Sequence, residues 1–561
     1  MNIRIRMAVI AASAIVVVLA AATVHVIPFG RAYWDYLFVL SGAYRISLGQ
    51  VPHVDFMSPF GPLTLYLGRL AEVLFPAGQP FVGVHALMWL LLLPAFWVLT
   101  PRLEGRLAFF GAFAILVLMT LVPFTIDPSH VSNISYFGLY NRFSSALLFL
   151  LGLWYVLPKR RFDAALLAYI LILLFFLKVT AALAGIVLLL CAAVLGRTTF
   201  RTVGLAGAGV VAVCILIDLP TGLVVGYLRD LATMAVINED SLLFRLAQAG
   251  YRFWAPLAVC AAFVAYEFWL DWGSRPRTLT GFRDTVAVFW REDSFLVDAA
   301  ILVAMALAVE SQNTGGTGLI SATALLFHPA AFSKRGHRFV GTVILGVALL
   351  LPMVDLSFQR TVRTALRDTA GTTEHGFSAL TPGIYVNYST LEAARLMRRM
   401  YHDWMPLVRD VRKAGSTFEF DPANTSLPAS VAWAEDVVDA ADVFREKNYG
   451  QYANQYAVLS FADPFTRYLG LSPAKEVELV VDHGRTVSVP DKAEASRYLA
   501  PADGVFVPHC DPIPRDESLK KGFDDALKAE FRPLPLNACW TFYARERAPE
   551  APNLPTSELP Q

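Results

Sequence analysis

Repeated apolar runs of bilayer length leave this chain few folds, because every backbone polar group inside lipid must be satisfied within its own segment. Met7 to Ile27 holds no Asp, Glu, Lys or Arg. As a helix rising about 1.5 Å per residue it covers a hydrocarbon core of about 30 Å. Comparable runs recur at 81–99, 107–126, 143–157, 203–218, 254–271, 295–309, 317–332 and 339–355. Phe162 to Leu195 is apolar around one internal cation, Lys178. It is too long for one span and long enough for two short helices turning at the lysine, which brings the expectation to about eleven spans.

Hydrophobic residues make up 56% of the chain, mean hydropathy is +0.49, and charged residues fall to 17%, against about 25% in soluble domains. The expected fold class is a polytopic α-helical membrane protein. A formal net charge of +1 offers no concentrated basic face, so no nucleic-acid partner is expected.

Basic residues set the orientation. With the N-terminus cytoplasmic, the inner loops receive Arg102 and Arg106, Lys159 to Arg161, Arg197 and Arg201, then Arg275, Arg277, Arg283 and Arg291, and last Lys334, Arg335 and Arg338. This is the positive-inside pattern, and an odd span count exports the C-terminus. Ala20-Ala21-Ala22 also reads as a signal-peptidase site; on either reading the next loop, 29–80, is exported.

Beyond Leu356 charged residues become frequent and no run reaches membrane length. Residues 356–548 are expected to form one exported α/β domain. Strand-like runs at Ala457–Phe461, Val477–Val481, Gly504–Val507 and Trp540–Tyr543 alternate with helix-like stretches at 391–412, 432–444 and 517–531. The tail 549–561 is Pro-rich and expected to be disordered. Cys191, Cys214 and Cys260 lie in spans, whereas Cys510 and Cys539 are the only cysteines of the exported domain and a candidate disulfide in an oxidising compartment. No Cys/His spacing suggests zinc.

The loop 29–80 interrupts the apolar pattern with Trp34-Asp35-Tyr36, a Gly49-Gln50-Val51-Pro52 turn, Asp55-Phe56, and Gly61-Pro62-Leu63 opening a helix before the second span. An acidic residue shortly after the first span, in an exported loop of this pattern, resembles the GT-C superfamily of membrane glycosyltransferases. That superfamily includes the protein O-mannosyltransferase and aminoarabinose transferase branches. The adjacent acidic pair common there is absent here, and Ser58-Pro59-Phe60-Gly61-Pro62 stands in place of its Lys-Pro-Pro stretch. The resemblance implies a 1–355 catalytic membrane domain, a catalytic acid in the first loop, and a polyprenyl-phosphate sugar as donor.

An inverting transfer from such a donor needs a carboxylate to take the acceptor's proton and cations to hold the phosphate. Asp35 is the first candidate base and Asp55 the second; the alternatives are a helix cap for Asp35 and a turn residue for Asp55. Arg142, Lys178 and Arg252 fall at expected exported ends of spans and are candidate phosphate ligands; the alternative is snorkelling to headgroups. Glu310 and Asn313, in Glu310-Ser311-Gln312-Asn313-Thr314-Gly315-Gly316, are candidates for sugar or cation contact, with a helix C-cap as the alternative. No metal is assigned, although a divalent cation fits Glu310.

The expected protein is a glycosyltransferase of a bacterial inner membrane, acting on the periplasmic face. Its expected partners are membrane lipid, a lipid-linked sugar donor, and a glycan, lipid or protein acceptor. A transporter of lipid-linked sugars would use a similar basic cavity without a carboxylate base, but the chain carries no internal repeat of the kind such proteins show. An oligosaccharide polymerase or ligase would leave the loop aspartates idle. A receptor would leave the boundary charges unexplained.

Overall fold

Apolar surface left uncovered marks the lipid-facing flanks. α1 (Ile3–Thr23) starts where the Asn2 side chain accepts the Arg4 N–H, and its Ile15, Val16 and Leu19 stay exposed. α9 (Phe200–Thr221) leaves Val211, Ile215, Leu216 and Leu219 exposed in the same way. A water-soluble domain does not expose contiguous apolar helix faces of this kind. The computed structural model describes residues 2–30, 32–123, 134–238, 242–274, 294–312, 317–332, 336–368, 372–373, 380–381, 383–413, 427–510 and 516–546. Among them three helices are long and apolar enough to cross a membrane, Ile3–Thr23, Pro80–Arg102 and Phe200–Thr221, and shorter apolar helices accompany them. Arg275, Arg277, Arg283, Arg291, Lys334 and Arg335 of the expected inner loops, and the tail 549–561, lie outside the described residues.

The bundle continues through α4 (Pro80–Leu99), α5 (Gly105–Thr120), α6 (Leu139–Val156), α7 (Asp163–Leu177) and α8 (Val179–Val194). The expected turn at Lys178 is present. That residue is extended, with φ −159° and ψ 108°, and Gly185 of α8 packs back on Leu171 and Leu174 of α7. After α10 (Leu223–Ile237), α11 (Leu242–Arg252), α12 (Trp254–Ser274) and α13 (Ser294–Glu310), the run expected at 317–332 is not one helix. It is a short α-helix, Thr317–Ile320, followed by 3-10 segments Ser321–Phe327 and Pro329–Phe332. Ser321 and Thr323 donate their hydroxyls to Gly318 O and Ile320 O, and Pro329 has no N–H to continue a helix.

Buried charge pins the end of the bundle opposite the first loop. Arg6 donates to the carbonyls of Thr100, Leu103 and Gly105, Arg102 pairs with Asp163 at 2.5 Å, and Asp298 meets Tyr155 Oη at 2.7 Å, His328 at 3.1 Å and Arg197 at 3.3 Å. Removing one partner of such a pair strands the other.

The first loop does not stand apart from the C-terminal part, as the division at residue 356 suggests. It is stitched to it. β1 (Ile27–Pro28) pairs in parallel with β4 (Ile384–Asn387), itself flanked by β3 (Thr372–Thr373), and β2 (Phe56–Met57) pairs in parallel with β6 (Val477–Glu478). α2 (Tyr33–Ser47) lies between β1 and β2, and α3 (Leu63–Leu74) follows β2. Ser41 donates to Asp463 O at 2.7 Å, and buried Arg45 to Ala474 O at 3.0 Å. His53, at φ 65°, meets Asp230 of α10 at 2.8 Å, and Gly226 leaves no room for a Cβ, which would stand 2.2 Å from His53 O. The boundary at 356 also moves, because α14 (Gly336–Asp368) runs through it unbroken.

The C-terminal part carries a four-stranded mixed sheet in the order β5 (Tyr456–Val458), β7 (Gly504–Pro508), β9 (Trp540–Arg545), β8 (Phe531–Pro535), with β5 and β7 parallel and the other pairs antiparallel. Residues alternate across the pleat. Phe506 and Phe542 meet Phe444 of α16 (Leu427–Glu446), which packs on α15 (Tyr388–Lys413). Val505 and Val507 instead join Leu499 of α17 (Lys492–Leu499) and Phe523 and Leu527 of α18 (Asp516–Glu530) in a second cluster. Phe531, expected to end a helix, begins β8.

Cys510 and Cys539 are bonded, with Cα atoms 4.8 Å apart, and clip the end of β7 to the start of β9. Protein isolated without reductant should therefore be alkylated at neither cysteine until dithiothreitol is added. Labelling of both before reduction would exclude the bond.

Candidate functional site

Asp35 is not the cap of its helix. Ala32, in the left-handed conformation at φ 54°, occupies that position without a side-chain bond, and the Asp35 carboxylate reaches across to accept the Gly138 N–H at 2.6 Å. Gly138 also has positive φ, 53°, which turns the backbone into α6. Asp35 as a residue is only partly covered, while protein atoms crowd round its carboxyl group. Burial pushes its pKa up to about 7, the Gly138 hydrogen bond offsetting part of the rise. A carboxylate poised near neutrality is suited to accept a proton.

The start of α6 carries the next groups. The Tyr140 phenol lies within electrostatic reach of Asp35, and also of Asp482 and Arg485 from the C-terminal part. Its ring stacks on Phe60 at 4.9 Å between centroids. Lys178 Nζ sits 5.7 Å from the Tyr140 centroid and donates to Asn141 Oδ1 at 2.5 Å and Gln312 O at 3.0 Å. Glu310 and Arg245 act on the same ammonium. Glu310 accepts the Gly318 N–H at 3.1 Å, and Arg245 donates to Asn238 and to Gln312 Oε1 at 3.4 Å.

The first loop reaches this cluster through its Phe60-Gly61 dipeptide. Gly61 N–H donates to Leu177 O at 3.0 Å, and a Cβ there would stand 2.2 Å from Phe176 O. Only glycine lets the loop dock at the α7–α8 break. The start of α6 thus lies between two groups: Asp35 acts on the Tyr140 phenol, and Lys178 from the α7–α8 break, with Glu310 from the end of α13 near it, meets Asn141 and the Tyr140 ring.

Other candidates go elsewhere. Asp55 holds a turn and a docking contact: its Oδ2 accepts Val51 N–H at 2.7 Å, its Oδ1 pairs with Lys475 at 3.0 Å, and its carbonyl accepts Glu476 N–H at 2.6 Å. These are the bonds of the turn role that the sequence offers Asp55 as its alternative. Arg142 is buried and donates to Val122 O, while its Nε and Nη1 have no partner among the described residues. It does not join the contacts of Lys178, because its side chain turns towards the end of α5. Arg252 ends α11 with its side chain outside the described residues, and Asn313 lies outside them altogether.

Tyr140, Phe60 and Arg245 were not among the sequence candidates. Arg245 had a readable signal, a lone cation in Leu242-Leu243-Phe244-Arg245-Leu246 on a strongly amphipathic helix. For a metal, the one His/Cys/Asp/Glu group among the described residues is His402, Asp436 and Cys539. Cys539 is in the disulfide and Asp436 pairs with Arg398 at 2.6 Å, so that group lacks a thiolate and a free carboxylate. No protein-family model, curated protein or solved structure matches the chain.

Proposed function

We propose that the protein is an inverting glycosyltransferase of GT-C type that moves a sugar from a polyprenyl-phosphate donor to an acceptor hydroxyl at the exported face of the membrane. The observation that carries this reading is the Asp35 carboxylate, held near neutral pKa at the Gly138 N–H and adjoining Tyr140. The donor's phosphate is already a good leaving group, so the chemical need is a base for the acceptor proton and a cation for the phosphate. Asp35 takes the proton. Lys178, with Arg245 nearby, neutralises the charge that grows on the phosphate as the glycosidic bond breaks. The stacked Phe60 and Tyr140 rings offer an apolar face for the sugar.

In this reading about eleven apolar segments cross the bilayer and the sheet-bearing C-terminal part is exported, which agrees with the Cys510–Cys539 bond. A reporter active only in the cytoplasm, fused after Gln561, should be silent; strong activity would put Asp35 on the wrong side. The function itself is tested by mass spectrometry of envelope lipids and glycans from cells with and without the protein. Loss of one sugar residue from one envelope component is the expected result, and identical profiles would count against the reading.

A further inference from the structure

α15 has two apolar faces and only one of them is covered. Along the helix six basic residues stand against three acidic ones. Its inner face is held by α16: Leu391 and Ala394 are buried, and Arg398 Nε and His402 Nε2 meet Asp436 at 2.6 and 3.0 Å. The other face lies open. Leu396, Trp404 and Leu407 are 59%, 59% and 51% exposed, and their spacing, a little over two turns and then three, sets them in one row about 16 Å long. Arg395 and Arg399 flank that row, both exposed.

The fold tethers this helix to the membrane. α1 is long and apolar enough to cross a bilayer, and β1 begins four residues after its last residue, Thr23, a reach of at most about 14 Å. β1 is bonded to β4, Ile27 N–H donating to Gly383 O and Phe29 N–H to Tyr385 O, both at 2.8 Å, and α15 starts at the residue after β4. Its first turn therefore lies close to the bilayer boundary where α1 ends. A basic helix with Leu and Trp in an open row suits the layer where acyl chains meet headgroups. Tryptophan collects there, and arginine lays its stem along hydrocarbon with its charge among the phosphates. A second copy of the chain fits the row less well, because like-charged arginines would face each other across it. We propose that α15 lies along the bilayer surface beside the end of α1, with Leu396, Trp404 and Leu407 below the headgroups and Arg395 and Arg399 on the phosphates of anionic lipid. α15 packs on α16, whose Phe444 meets Phe542 of the sheet, so this contact seats the C-terminal part against the membrane.

The test reconstitutes the full chain in two kinds of vesicle, phosphatidylcholine alone and phosphatidylcholine mixed with phosphatidylglycerol, each with a trace of phosphatidylcholine bearing a diazirine high in one acyl chain. Irradiation of the mixed vesicles should give adducts on Leu396, Trp404 and Leu407 as well as on the exposed Val211 and Leu219 of α9. Without phosphatidylglycerol the α15 adducts should fall severalfold and the α9 adducts should stay. Leu396→Glu combined with Trp404→Glu should lose the α15 adducts while Cys510 and Cys539 remain bonded, and Arg395→Glu combined with Arg399→Glu should bring the mixed vesicles down to the yield of phosphatidylcholine alone. Wild-type adducts on α9 only would overturn the proposal, and chain-to-chain crosslinks through α15 in their place would give the face to a second copy. Equal α15 yields from the two kinds of vesicle with wild-type protein would overturn the assignment to anionic lipid.

Discussion

Asp35→Asn should lower sugar transfer by roughly 10²-fold or more while the purified protein still binds a polyprenyl-phosphate sugar. Asparagine keeps the size and can still accept the Gly138 N–H, but it cannot take a proton. The pH profile follows from the same residue. A base with pKa about 7 is protonated below that value, so wild-type turnover should climb as pH rises through 7 and then level off. The stability effect has the opposite sign. An acid whose folded pKa lies above its unfolded value loses stability as pH rises from the unfolded to the folded pKa, so at pH 8 the Asn variant should melt no lower than wild type. A variant that is inactive because it unfolds would melt lower, which separates the two explanations.

Lys178→Met should weaken donor binding by about tenfold to a hundredfold, the value of a hydrogen bond from a charged group of about 1.5 to 3 kcal/mol, and Lys178→Arg should recover part of it. The ammonium lies beside Tyr140 and Glu310 with little water to screen it, so its charge counts for more there than at a surface. Arg142→Met is the contrast. Its guanidinium donates to Val122 O and shares no contact with Lys178, so donor affinity should stay near wild type. Equal losses from Arg142 and Lys178, measured as donor Kd, would return Arg142 to the phosphate site.

The helical membrane class was legible because composition and run length decide it, and the α7–α8 turn was legible because a lone lysine in an apolar stretch must leave the hydrocarbon. Asp35 stood out for a similar reason, an acid between aromatic residues close to a span. Its partner was not legible. Gly138 lies far along the chain, and only the packed fold brings its N–H to the carboxylate. The bond of Arg142 to Val122 O was not legible, because position near the end of a span does not say which way a guanidinium turns. The bonds of Asp55 to Val51 and Lys475 were not legible either, because they accompany the β2–β6 pairing. That pairing joins two-residue strands, too short to carry an alternating pattern. The same limit hid the docking of the first loop on the C-terminal part.

The central claim is that this membrane site breaks a sugar–phosphate bond and does not merely pass lipid-linked sugar across the bilayer. The direct measurement places purified protein in vesicles with a polyprenyl-phosphate donor carrying a radiolabelled sugar and an envelope-lipid acceptor, and follows the label by chromatography. The account predicts that label leaves the donor and appears on the acceptor with wild-type protein, and stays on the donor with Asp35→Asn. Intact labelled donor reaching the opposite leaflet, with no label on any acceptor, would contradict it.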